Sequence, residues 1–293
     1  MFSKALVGVD HSPAEESLLS CLPDLRSWGI ESLILAHVIR IGYGAGAGFG
    51  KEDEYRAWLE KSALPSREAG LTVTTSVRAS GVPADELLEL ARAEEADLVV
   101  VGSRSHSFLH EIFLGSVAKD VLRKSQIPVL IERLEATRAG HAETCRAVCG
   151  RALERILLAT DLSPQSRAAE DAAVRLAAKA GHVDCLTVLA EDASEEDRRT
   201  TEARHQEIVH RIRDAGGQAG SRIEVGDPTE LIARTGEQGC SLILVGKHGQ
   251  GWVAGRIIGS TAARVCEIAR RPVLVMPLPM TGAGQTGPEK TPD

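Results

Sequence analysis

Short apolar runs and amphipathic stretches alternate along the chain, and the alternation passes through its full cycle twice. In the first cycle, residues 5–9, 33–39, 71–77, 98–101 and 128–131 have the length and apolar content of strands. Helical spacing lies between them. Leu18, Leu19, Leu22 and Leu25 form one apolar stripe, and Leu87, Leu88 and Ala91 form another. Ser12 is placed to cap the first helix, with Pro13 at its first position and Glu15 three after the cap, and Pro83 opens a later helix. A further helical stretch covers about 51–68. The second cycle begins at 155–164 (RILLATDLSP), which lines up with 4–13 (KALVGVDHSP). Strands follow at 183–190, 222–225, 241–245 and 272–276, with helices at 195–215, from Pro228 and after Ser260.

Near-continuous apolar strands that alternate with helices predict an α/β fold, here two tandem open parallel sheets covered on both faces. The divisions expected are 1–133 for the first unit, 134–152 for a polar connector without strand pattern, and 153–278 for the second unit. Residues 279–293 are expected to be a disordered Gly/Pro/Thr-rich tail. The Gly/Ala run 42–50 reads as a flexible loop. Ligands of such sheets sit at the carboxyl ends of the strands, where strand order reverses. Asp161 ends a first strand and Gly246 a fourth, so both should reach that edge.

Residues 245–265 (VGKHGQGWVAGRIIGSTAARV) carry the most informative chemistry. Gly246 and Gly249 follow a strand, and Gly259-Ser260 opens a helix. Glycines let the backbone approach a ligand, and the free N–H groups and positive dipole end of a helix favour phosphate. Residues 101–121 (VGSRSHSFLHEIFLGSVAKDV) repeat the plan. Thirteen residues separate Gly102 from Gly115, as they do Gly246 from Gly259. In the first copy Ser105 stands at the position of Gly249. If that position needs positive φ, Ser105 costs about 1–2 kcal/mol and weakens the first site.

Composition narrows the function. The chain has 293 residues, 43% of them hydrophobic and 26% charged, with a net charge of −7 and 3% aromatics. An acidic chain with few aromatic faces is a poor partner for nucleic acid. No apolar run reaches the roughly 18–20 residues of a membrane helix, and the N-terminal residues do not read as a signal peptide, so a cytoplasmic location is expected. Six cysteines then read as reduced thiols, with Cys21, Cys185, Cys240 and Cys266 as small core residues. His141, Cys145 and Cys149 are four apart, which a helix would bring to one face. The C-x2-C spacing of a zinc site is absent, and no metal site is expected.

With Asp10 and Asp161 closing the first strands, the G-x2-G-x9-G-[ST] pattern and the closing Pro-Val-Leu strands, the chain resembles the universal stress protein family in its tandem form. That resemblance implies two Rossmann-like domains of the adenine-nucleotide alpha hydrolase type. It also implies a stress-response or signalling module that binds ATP or AMP, with or without Mg2+. The second copy matches the signature fully. Carried over, the resemblance implicates Thr160, Asp161 and Val188 for the nucleoside and Gly246, Gly249, Gly259 and Ser260 for phosphates, with His248 and Thr261 adjacent. The weaker first site comprises Asp10, Gly102, Ser105, Gly115 and Ser116. Family domains pair through their final strand, here 128–131 and 272–276, which implies a pseudo-dimer within one chain and allows a homodimer.

Other readings are weaker. Gly249–Ala254 fits G-x-G-x-x-[GA] but follows the last-but-one strand of its unit, where a dinucleotide fingerprint does not belong. His205 and His210 are five apart, not the four of H-E-x-x-H. His106 and His110 are four apart and read as loop histidines. No residue stands out as a catalytic base, so slow ATP hydrolysis remains one alternative and a structural, protein-binding tandem module another.

Overall fold

The computed structural model describes residues 1–12, 15–41, 51–105, 112–139, 142–147, 152–250 and 257–278. Its first half contains β1 (Lys4–Val9), α1 (Glu15–Cys21), β2 (Ser32–Arg40), α2 (Glu52–Glu68), β3 (Thr72–Ser80), α3 (Pro83–Ala93), β4 (Leu98–Ser105), β5 (Ile112–Phe113), α4 (Ser116–Lys124), β6 (Val129–Ala139) and β7 (Ala142–Ala147). The second half contains β8 (Arg155–Ala159), α5 (Arg167–Leu176), β9 (His182–Leu189), α6 (Glu195–Asp214), β10 (Ala219–Val225), α7 (Pro228–Glu237), β11 (Leu242–Gly246), α8 (Ser260–Ile268) and β12 (Val273–Met276).

Local chemistry sets many of these boundaries. α3 and α7 each begin at a proline, whose fixed φ suits the first turn. Asp227 caps α7 by accepting from the Glu230 amide at 2.9 Å. α6 has only a weak apolar stripe, and it starts on a capping box in which Ser194 and Asp197 satisfy each other's backbone amides.

Each half is a parallel sheet, ordered β3-β2-β1-β4-β6 and β10-β9-β8-β11-β12. The closing strands join the halves antiparallel, Val273 opposite Ile131 and Val275 opposite Val129, so ten strands run in unbroken order. One apolar layer lies under α1, α2, α5 and α6, with Leu59, Ile208 and Leu158 among its buried members. The other lies under α3, α4, α7 and α8, with Leu87, Val121, Ile232 and Val265. Both layers cross the junction.

The structure corrects three expectations. The region expected to be a connector without strands extends β6 to Ala139 and returns as β7, an antiparallel hairpin with Leu134 opposite Ala147. Its polar composition, without regular alternation, hides a strand whose pairing is local. Cys145 lies on β7, so the helical argument for His141, Cys145 and Cys149 does not apply, and His141 and Cys149 fall outside the described residues. Cys21 is disulfide-bonded, not a reduced thiol. Spatial pairing of cysteines cannot be read from spacing, and here α1 packs against β7. Cys185, Cys240 and Cys266 are buried and free as expected; burial pushes the thiols of Cys185 and Cys266 up to about 12. The Glu15 amide donates to the Ser12 carbonyl at 3.0 Å, while Pro13, the 42–50 loop and the 279–293 tail lie outside the described residues.

Candidate functional site

β8 is flanked by β9 on one side and β11 on the other, so strand order reverses between β8 and β11. A cavity of about 410 Å³ opens at their carboxyl ends. Thr160, Asp161, Val188, Gly246, His248, Gly249, Gly259, Ser260 and Thr261 all line it.

Backbone hydrogen bonds shape the loop on this cavity. The Lys247 amide donates to the Met276 carbonyl at 2.7 Å, and the Gly259 amide donates to the Lys247 carbonyl at 2.8 Å. The Gln250 amide donates to Asp161 Oδ2 at 2.6 Å, and its side-chain Nε2 donates to the Asp161 carbonyl at 2.9 Å. Asp161 Oδ1 accepts from the Ser163 hydroxyl at 2.6 Å. Asp161 thus clamps the turn after β8 to the loop after β11. Gly259 offers α8 no capping side chain, unlike Ser194 on α6 and Asp227 on α7. The first turn of α8 therefore meets the cavity at the end where an anion is stabilised. Burial and the neighbouring Lys247 charge hold His248 below the usual histidine range.

Two expected roles change. Gly249 is not among the positive-φ glycines, so conformational freedom is not its purpose. A Cβ built there would run into the Asp161 carboxylate; glycine is required for close approach. Thr160 lines the cavity, but its hydroxyl is spent elsewhere, donating to Glu170 Oε1 at 2.8 Å and accepting from the Leu162 amide at 3.0 Å. Its carbonyl accepts from Thr187 Oγ1 at 2.7 Å. That hydroxyl has one proton, so the His205 Nε2 at 2.8 Å carries a hydrogen and donates to it, while His205 Nδ1 accepts from Ser221 at 2.8 Å. Burial drives the His205 pKa down to about 4. His205 is buried and His210 exposed beside Asp214, so they share no site. Among the described residues no cluster of three metal-ligating side chains exists.

The sequence missed Ser166, Gln250 and Gly226 on the cavity wall. Ser166 lies three residues after Ser163 on the turn that Asp161 anchors, a placement that could have suggested it. Gln250 and Gly226 carried no such signal.

The first half has its own cavity, of about 480 Å³, at the matching place, and the two are called the first and second cavity after the halves that hold them. Asp10, Gly102, Gly115 and Ser116 line it. Ser105 does not. β4 continues through Ser105, which pairs with Glu135 on β6 and Ile112 on β5, whereas β11 stops at Gly246. The expected φ strain at Ser105 is therefore not the difference between the halves: one fourth strand runs on where the other bends into a loop. Glu15 also lines this cavity at the position that Ser166 holds in the other. His106 and His110 lie outside the described residues.

Residues 1–133 and 152–277 each match the family model described as Universal stress protein family. A universal stress protein of Mycolicibacterium smegmatis is 26% identical over 298 residues, covering 92% of this chain and 96% of its own. The universal stress protein YxiE of Bacillus subtilis is 33% identical over 149 residues, 45% of this chain and all of YxiE. Among solved structures, a universal stress protein from Archaeoglobus fulgidus superposes with a TM-score of 0.72 at 24% identity, covering 94% of this chain and 96% of that one.

Proposed function

The chain belongs to the universal stress protein family, and we propose that it is an adenine-nucleotide-binding stress or signalling module whose second half holds the nucleotide. The observation that carries this reading is the second cavity itself. It brings an uncapped helix N-terminus, a glycine loop clamped by Asp161 and an apolar wall at Val188 into one space of nucleoside-phosphate size. In this reading the amides of Ser260 and Thr261 and the glycine backbone hold phosphates, His248 adds a neutral polar contact, and the β9 edge near Val188 meets the base. The Thr160 hydroxyl positions the wall and does not touch ligand. In this reading the first cavity is the poorer nucleotide site because β4 runs on through Ser105 where the second half bends into a glycine loop, and because an acidic residue, Glu15, lines it where the second cavity has Ser166. No residue in either cavity is assigned a catalytic role.

Titration calorimetry of the full chain with ATP and AMP tests this. The expected result is about one tight site per chain, abolished by a bulky residue at Gly259. No binding, or two equal sites, overturns it.

A further inference from the structure

Lys247 follows the first glycine of the second cavity's loop, and it is 6% exposed without lining that cavity. Its ammonium crosses into the first half, where it donates to the carbonyls of Arg123 at 2.8 Å and Ser125 at 2.6 Å. These belong to the last turn and C-cap of α4, where carbonyls lack helical partners and the dipole is negative. The return crossing is made by Arg133, which is 2% exposed. Its guanidinium donates to Ser103 Oγ at 2.7 Å in its own half, then to the carbonyls of Cys266 at 2.7 Å, in the last turn of α8, and Arg271 at 3.3 Å, in the bend before β12. Ser103 occupies in the first half the position of Lys247 in the second. One half therefore spans the junction directly with a lysine, and the other does so through a serine and an arginine.

Burial lowers Lys247 to about 8 and Arg133 to about 10, and both remain mainly cationic at neutral pH. Burying a cation is costly unless acceptors compensate, and here the acceptors are the C-terminal carbonyls of the opposite half's helix. Both helices point their other ends at ligand cavities: Gly115 and Ser116 at the start of α4, Gly259 and Ser260 at the start of α8. A nine-residue helix is only about 13 Å long and stiff, so fixing one end fixes the other. The Lys247 carbonyl meanwhile accepts from the Gly259 amide and closes the loop.

We propose that Lys247 and Arg133 are positioning residues for the second-half cavity: Lys247 ties that cavity's loop to the first half, and Arg133 reaches from the first half to hold α8 and with it the helix N-terminus, so ligand affinity there depends on contacts across the junction. The choice of ligand rests on the nucleotide reading above; the positioning does not. The test uses the full chain and two readouts, amide hydrogen exchange of the 246–250 and 257–262 segments and ATP titration. Lys247→Met should speed exchange in these segments and weaken ATP about tenfold, while β8 and β11 stay protected. Lys247→Arg, which keeps the cation and its donors, should restore both. Arg133→Met should loosen 257–262 and weaken ATP although Arg133 lines neither cavity. Unchanged exchange in Lys247→Met, or exchange that rises equally through β8 and β11, overturns the proposal. If Lys247→Met does not fold, Lys247→Gln, which keeps a donor of shorter reach, supplies the same comparison. If the wild type binds no ATP, the nucleotide reading falls and the exchange comparison still decides this one.

Discussion

The two cavities sit at equivalent places in equivalent sheets, yet they are finished differently. In the second half β11 ends at Gly246, and Asp161 gathers the following loop through the Gln250 amide. In the first half β4 continues to Ser105 and pairs on both sides. The lesson is that a repeated spacing conserves where a loop starts and where its helix begins, but not what the chain does between them. Strand pairing competes with loop formation for the same backbone groups. In the first half, pairing with β5 and the long β6 wins.

The halves also hold buried titratable groups of opposite sense. Burial drives His205 down to about 4 in the second half and pushes the Glu132 carboxyl up to about 7 in the first. Both are almost fully buried, at 0% and 2% exposure.

The harshest way to break the comparison is to cut the halves apart. Leu274→Pro removes a ladder donor in β12, a strand paired on both sides, and should cost more than about 3 kcal/mol in urea denaturation. If the halves are independent, one half of the unfolding transition should survive intact.

The next effect is pH-dependent. Between pH 6.5 and 4 the unfolded chain takes up a proton that folded His205 refuses, so stability falls as pH drops through that window, by up to about 3 kcal/mol. Between pH 4.5 and 7 the folded state retains a proton on Glu132 that the unfolded chain releases. Its contribution therefore falls as pH rises, by a similar amount. Urea unfolding at pH 4.5 and 8 should show Glu132→Gln stabilised at the higher pH, and a foldable His205→Gln losing less on acidification. Identical pH profiles for wild type and both variants would contradict the assignment.

Gly249→Ala should weaken ATP about tenfold, because the new Cβ must displace the Asp161 carboxylate that clamps the loop. The reverse exchange, Ser105→Gly, should leave the first half unable to gain a second tight site, since its backbone is already committed to pairing. Calorimetry on both variants separates loop geometry from residue identity.

The smallest effect concerns the helices after the second strand of each half. α6 carries the Ser194 capping box, while Lys51 gives α2 no side-chain cap. Ser194→Ala should cost about 1 kcal/mol, and Lys51→Ser should gain a comparable or smaller amount. Thermal melts resolve both.

Much of this architecture was legible in the amino acids. Strand-length apolar runs, prolines at helix starts and the twice-used glycine spacing specify two parallel sheets and the glycine loop, because each signal acts over a few neighbouring residues. The fuller set of nine residues around the second cavity came from the resemblance to the family. Tertiary structure alone decided the rest. Gly249 is needed because Asp161, far away in sequence, lies against it. The Thr160 hydroxyl turns from the cavity because Glu170 is buried behind it. The polar stretch after Ile131 becomes a hairpin because its two arms supply each other's backbone partners, an antiparallel pairing that no apolar run announces. No sequence motif singles out Lys247 or Arg133, and their meaning lies in helix ends brought beside them by the antiparallel closure of β12 on β6. Local patterns encode which elements form; the partners of buried polar groups depend on long-range approach, which no local pattern contains.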